Sequence, residues 1–278
     1  MADNDDNNAS EEDDGKLKIY FLPNLFTAGN LFCGFLAITR IVESQLEAPY
    51  PAIKEALFLI LLACIFDLLD GRVARLGGYE SPFGREFDSL ADIVSFGVAP
   101  AFLVHRVVLR DVFAQVPQIG WFIASVYLIC GALRLARYNC LAEMPNQKDK
   151  SDAFVGFPIP AAAAMVASLT LFLMWWDEKD FAQGNWRFLL PGILLFLSFM
   201  MVSEVKYPSF KTIGWKMKRT FHKMVLVVLT LGFFIVLWEK ILPVVLPVIF
   251  IVYLIYGFVR PWISPQMRRD IEELEEEA

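Results

Sequence analysis

Four aspartates, Asp67, Asp70, Asp88 and Asp92, lie within one short stretch between Cys64 and Pro100, at the ends of two apolar runs. The first two are spaced i,i+3 and the second two i,i+4, so each pair shares one face of a helix. A carboxylate in such a place costs several kcal/mol unless it is paired or meets water. The link between the runs is short, which sets the two helices side by side and lets all four acids converge on one pocket. Converging carboxylates repel one another and call for cations. An all-oxygen donor set suits hard divalent ions, Mg²⁺, Mn²⁺ or Ca²⁺, and disfavours zinc. Two such ions close together would clamp a phosphoryl group, stabilising its entering and leaving oxygens. Gly71 lets a phosphate approach the backbone, and Arg75 offers a planar fork for a phosphate oxygen. A simpler reading pairs these acids with Arg72, Arg75 and Arg85, and it accounts for two of them at most.

The elements that must position this cluster are membrane helices. Of the 278 residues 56% are hydrophobic and 20% charged, with a mean hydropathy of +0.49, which excludes an ordinary soluble domain. Eight apolar stretches, near 20–42, 52–76, 88–109, 117–141, 157–176, 186–204, 221–239 and 241–259, each approach the roughly 20 residues a membrane helix needs. The net charge of −6 misleads: Met1 to Asp14 carries 7 carboxylates and Asp270 to Glu277 carries 6, leaving 18 acids against 25 bases between them. Placing the N-terminus inside puts 18 Lys and Arg on the cytoplasmic side and 7 on the other, so the positive-inside rule predicts both termini in the cytoplasm. The seven Trp residues fall toward span ends, where amphipathic rings favour the headgroup layer. The acidic, apolar-poor termini are expected to be disordered and solvated. An acidic leader before the first apolar run argues against a secretory signal. Cys33, Cys64, Cys130 and Cys140 show no metal or disulfide pattern, and His105 and His222 are isolated.

The pattern Asp67-x2-Asp70-Gly71-x2-Ala74-Arg75-x8-Gly84-x3-Asp88-x3-Asp92 resembles, at every fixed position, the signature of the CDP-alcohol phosphotransferase family. The resemblance implies an all-α polytopic membrane protein with a six-helix core, here with about two further C-terminal membrane helices, forming a homodimer in the prokaryotic cytoplasmic membrane. It implies a catalytic membrane domain over 16–211, while composition and apolar length mark acidic tails at 1–15 and 263–278 and additional membrane helices over 212–262. It also implies two divalent cations, Mg²⁺ or Mn²⁺, with Ca²⁺ a third candidate. By the same resemblance Asp67 and Asp88 would bridge both metals, Asp70 would bind the first, and Asp92 would bind the second and act as general base. Gly71, Ala74, Arg75, Ser81 and Gly84 would contact the CDP part of the donor, and Asn24, Leu25, Phe26 and Thr27 would line the nucleotide pocket.

Further segments look like the serine-accepting members of the family: Pro23 to Gly34, Ser89 to Pro100, Arg134 to Asn139, Phe154 to Ala162 and Met201 to Lys211. The implied reaction moves the phosphatidyl group from CDP-diacylglycerol to L-serine and releases CMP, with no partner role for nucleic acid. Serine's carboxylate needs a cation: Arg134 and Arg137, i,i+3 on one helix, are the candidates, with Asn139 adding a hydrogen bond. The alternative use of these arginines is membrane anchoring with the charged heads at the interface. Inositol phosphate, glycerol phosphate and choline are the competing acceptors. A cation transporter is the rival outside the class, disfavoured because the acids form one unrepeated cluster at one surface. The basic run from Lys206 to Arg219 reads as orientation and attraction to anionic lipid.

Overall fold

The computed structural model describes residues 20–44, 50–78, 81–143, 153–177, 188–208 and 242–259. Seven helices lie among them: α1 (Phe21–Glu43), α2 (Tyr50–Gly77), α3 (Pro82–Val112), α4 (Pro117–Glu143), α5 (Ile159–Asp177), α6 (Leu189–Val202) and α7 (Leu242–Val259). The expected span at 221–239 and both acidic tails lie outside the described residues. Among the described residues four helices are long and apolar enough to cross a membrane: α1, α3, α4 over Pro117–Leu141 and α5 over Ile159–Trp176, with α6 and α7 as shorter apolar helices. The chain is an all-α integral membrane protein.

Chain chemistry sets the boundaries that matter for the site. Gly78, at φ +63°, ends α2 in the left-handed region that favours glycine. Ser81 then caps α3, its Oγ accepting from the Gly84 N–H at 3.0 Å, with Pro82 at the first turn. Because this cap starts the helix, α3 begins at Pro82 rather than near 88. The added turns are polar and lie before the apolar run that marks the span. Directly after Asp92 the same helix widens into a π-helical segment, Ile93–Val98, and again at His105–Leu109. Apolar periodicity gives no sign of either, and π segments of this kind are enriched at functional sites.

Helix α1 packs along α2, burying Cys33, Ala37 and Ile41 against a seam that includes Ile53, Ala56 and Ile60. Helix α5 is the central element. Its residues 162–170 are all buried, as expected of a helix apolar on every side, and its alanines let α2, α3, α6 and α7 pack against it. The hydroxyls it buries bond to its own turns, Ser168 to Met165 O at 3.0 Å and Thr170 to Val166 O at 2.8 Å.

A short antiparallel ribbon clips the start of α5 to the end of α6. Strand β1 (Ala153–Val155) pairs with β2 (Lys206–Pro208), with Phe154 opposite Tyr207. Gly156 follows at φ +81°, a conformation that side chains resist. Its N–H donates to Val205 O at 2.9 Å. The buried Tyr207 ring meets Phe157 edge-on at 5.1 Å and Tyr253 of α7 at 5.8 Å. Gly257 leaves room for that ring, and so the last helix docks on the ribbon.

Candidate active site

Helices α2 and α3 bring three of the four aspartates together. Ligand oxygens of Asp67, Asp70 and Asp88 all lie within 4.8 Å of one another. Asp70 is only 4% exposed and Asp92 only 5%. Helix α1 supplies partners for two of the acids. Thr27 Oγ1 donates to Asp70 Oδ2 at 2.9 Å, and Asn30 Nδ2 donates to Asp92 Oδ1 at 3.1 Å. Asp88 Oδ1 is buried with no hydrogen-bond partner among the described residues. Among those residues, too, no ion pair joins Arg72, Arg75 or Arg85 to the cluster. Ion pairs occur elsewhere, as in Arg40 with Glu43 at 3.1 Å and with Glu55 at 3.0 Å. A partly buried, oxygen-only set with an orphaned carboxylate oxygen fits a hard divalent cation.

The surroundings suit a phosphorylated ligand. The Arg75 guanidinium folds back over Gly71, where a Cβ would sit 3.4 Å from Arg75 Nη1, so a planar donor fork lies beside bare backbone. A Cβ at Gly84 would be 3.2 Å from Ser81 Oγ and 3.5 Å from Asn24 Oδ1, which groups Asn24, Ser81 and Gly84 where α1 meets the start of α3. Asn24 Nδ2 is buried there without a partner among the described residues. Ala74 is half-buried one turn from Asp70. Phe26 packs toward Phe66 of α2 at 6.5 Å. Leu25, at 53% exposed, lies on the outer face of α1, since four consecutive residues cannot all share one side of a helix.

On α4, Arg134 is 7% exposed, stands 6.0 Å from the Tyr138 ring, and is close enough to Asp67 and Asp92 to interact with them electrostatically. Its neighbours have other partners. Arg137 donates to Val202 O at 3.0 Å, Ser203 O at 3.2 Å and Met201 O at 3.4 Å, satisfying carbonyls at the end of α6 that its helix leaves open. Asn139 donates to Ser89 Oγ at 2.9 Å and Glu86 Oε1 at 3.4 Å, tying α4 to α3.

A sequence model described as CDP-alcohol phosphatidyltransferase matches residues 20–203, which hold every one of these side chains. The chain belongs to the CDP-alcohol phosphatidyltransferase family. Among its relatives is the CDP-diacylglycerol–serine O-phosphatidyltransferase of Helicobacter pylori strain J99, 38% identical over 246 residues, covering 88% of this chain and 92% of the relative. The Bacillus subtilis protein of the same name is 35% identical over 191 residues, 69% of this chain and 92% of the relative. The Saccharomyces cerevisiae one is 38% identical over 151 residues, 53% and 52% respectively. Arg137→Ala should lower stability by about 1–3 kcal/mol through the uncapped carbonyls, with kcat per folded molecule unchanged. Thermal unfolding in detergent, read beside CMP release, checks this.

Sequence reasoning did not single out Asn30, and it placed Thr27 in the nucleotide pocket without its bond to Asp70. The available signal was two polar residues, i,i+3, on one face of the apolar middle of the helix. Ser95, whose Oγ donates to Asn30 O at 2.9 Å, could not have been found, because a serine in a membrane helix usually bonds to its own preceding turn.

Proposed function

We propose that this protein transfers the phosphatidyl group of CDP-diacylglycerol to the hydroxyl of L-serine and releases CMP. The observation that carries this reading is the convergence of Asp67, Asp70 and Asp88 beside buried Asp92, in a chain 38% identical to a relative named for that reaction. Asp67, Asp70, Asp88 and Asp92 hold two divalent cations, Mg²⁺ or Mn²⁺. When bound, these ions neutralise the carboxylates and stabilise negative charge on the donor pyrophosphate and the departing CMP.

The chain's own groups do the rest. Gly71 and Arg75 receive the pyrophosphate, and Asn24, Ser81 and Gly84 the cytidine end, while the acyl chains stay in lipid. Arg134 binds the serine carboxylate. Asp92 takes the proton from the serine hydroxyl as its oxygen forms a bond to the phosphorus bearing diacylglycerol. The bond from that phosphorus to the CMP oxygen breaks, and Arg75 stabilises the charge left behind. Direct transfer needs no nucleophile from the enzyme, and the Cys64 thiol, within electrostatic reach of Asp67 and Asp92, is turned to Pro160 O at 3.7 Å instead. Residues 16–211 form the catalytic unit, the site faces the cytoplasm from the inner membrane, and the enzyme is a homodimer.

Purified protein given CDP-diacylglycerol with serine, inositol phosphate, glycerol phosphate or choline separately should release CMP only with serine. Release with another acceptor and not with serine would overturn the assignment. Arg134→Gln should raise the serine KM roughly 10- to 100-fold, the worth of a charge-assisted hydrogen bond, and leave the KM for CDP-diacylglycerol unchanged.

A further inference from the structure

Asn30 sits in the middle of an apolar helix, is 0% exposed, and touches no ligand-binding group except Asp92. A carboxylate can only accept, so the amide nitrogen must be the atom that faces it. The contact is fixed twice over. Asn30 Nδ2 holds Asp92 Oδ1 at 3.1 Å, and Ser95, in the π segment one turn beyond Asp92, donates from Oγ to Asn30 O at 2.9 Å. One turn further along α1, a Cβ on Gly34 would lie 2.7 Å from Ser95 Cα. The two helices therefore meet at a spacing that admits no side chain, and this spacing sets the reach from Asn30 to Asp92.

Stability alone does not account for an asparagine here. Asn30 Oδ1 is buried without a partner among the described residues. An unmet buried acceptor is costly, and an apolar residue of the same shape would avoid that cost. The amide's one side-chain bond goes to the carboxylate that our reading of the reaction makes the base.

We propose that Asn30 is a positioning residue for Asp92: it occupies Oδ1 and so turns Oδ2 toward the substrate hydroxyl. This rests on Asp92 being the general base. A carboxylate rotating freely would offer the proton-accepting oxygen in the right place only part of the time, and productive geometry is sensitive to displacements of about 1 Å. The role of α1 is then to orient the acids, Thr27 holding Asp70 and Asn30 holding Asp92 from adjacent turns.

The test uses the full-length enzyme in detergent with Asn30→Leu, which keeps the branching of the side chain and removes the donor. We expect kcat to fall roughly 10- to 100-fold, the usual effect of removing a group that orients a ligand or catalytic residue. At saturating cation, KM for both substrates should stay within about threefold, because what then remains is the orientation of the base. Mn²⁺ affinity, read by electron paramagnetic resonance, should fall in Asn30→Leu. On an Asp92→Ala background the same substitution should leave it unchanged, since the acceptor of the pair is then gone. Asn30→Ala serves if the leucine variant does not fold. A wild-type kcat per folded molecule, with only thermal stability lost, would overturn the proposal and leave Asn30 a packing residue. An equal fall in Mn²⁺ affinity with and without Asp92 would overturn it as well. Full activity in Asp92→Asn would instead remove the base assignment on which it rests, so the two failures are distinguishable.

Discussion

Replacing Asp92 by asparagine is expected to lower kcat by roughly 10³-fold, near the middle of the range for loss of a positioned general base. The substitution preserves shape and volume in a site where the residue is 5% exposed. The new amide oxygen can still accept from Asn30 Nδ2, so the α1–α3 contact survives and the protein should fold. What is lost is the ability to take a proton: the atom facing the serine hydroxyl becomes an N–H₂ donor or an oxygen too weakly basic to help. CMP release from CDP-diacylglycerol and serine measures the effect, and an unchanged melting temperature assigns it to chemistry. An Asp92→Asn enzyme with wild-type turnover would show that another group accepts the proton.

The second large effect concerns Asp88 and the cations together. Its Oδ1 has no partner among the described residues, and oxygens of Asp67, Asp70 and Asp88 lie within 4.8 Å of one another. At an effective dielectric constant of about 20, two unit charges at that distance repel by about 3.5 kcal/mol. Cation-free protein holding these charges is destabilised by its own site. Chelation should therefore abolish turnover and lower the melting temperature, and Mg²⁺ or Mn²⁺ should restore both. Saturation at about 100 times Kd is worth about 2.7 kcal/mol. Asp88→Asn should invert the pattern: activity falls by roughly 100-fold or more, while the chelated protein melts higher than chelated wild type because one repelling charge is gone. A scan of melting temperature against added cation for both proteins separates these outcomes. A wild-type enzyme that keeps full turnover in excess chelator would refute the metal requirement.

These expectations rest on residues that differ in how visible they are in the chain. The i,i+3 and i,i+4 spacings of the aspartates translate directly into faces of two adjacent helices, and a short link leaves those helices little choice but to lie together. Most helix positions could be read in the same way, because twenty apolar residues in lipid must satisfy their backbone internally. The start of α3 could not, since Ser81 and Pro82 begin it in polar sequence that apolarity does not mark. Arg134, Arg137 and Asn139 look alike as polar residues at the end of α4. Only the fold separates them: Arg137 meets the open carbonyls of α6, Asn139 meets Ser89, and Arg134 is buried within electrostatic reach of Asp67 and Asp92.

The sequence by itself determined the class of protein, the family and the four carboxylates, because those depend on local quantities: apolar length, helical period and the spacing of charged groups within one segment. The tertiary structure decided which oxygens converge, that Asn30 and Thr27 reach across from α1, and that a π segment follows Asp92. Each of these depends on how closely two helices approach and at what rotation. That is set by pairs such as Gly34 and Ser95, distant in the chain, whose contact has no signature in either segment alone.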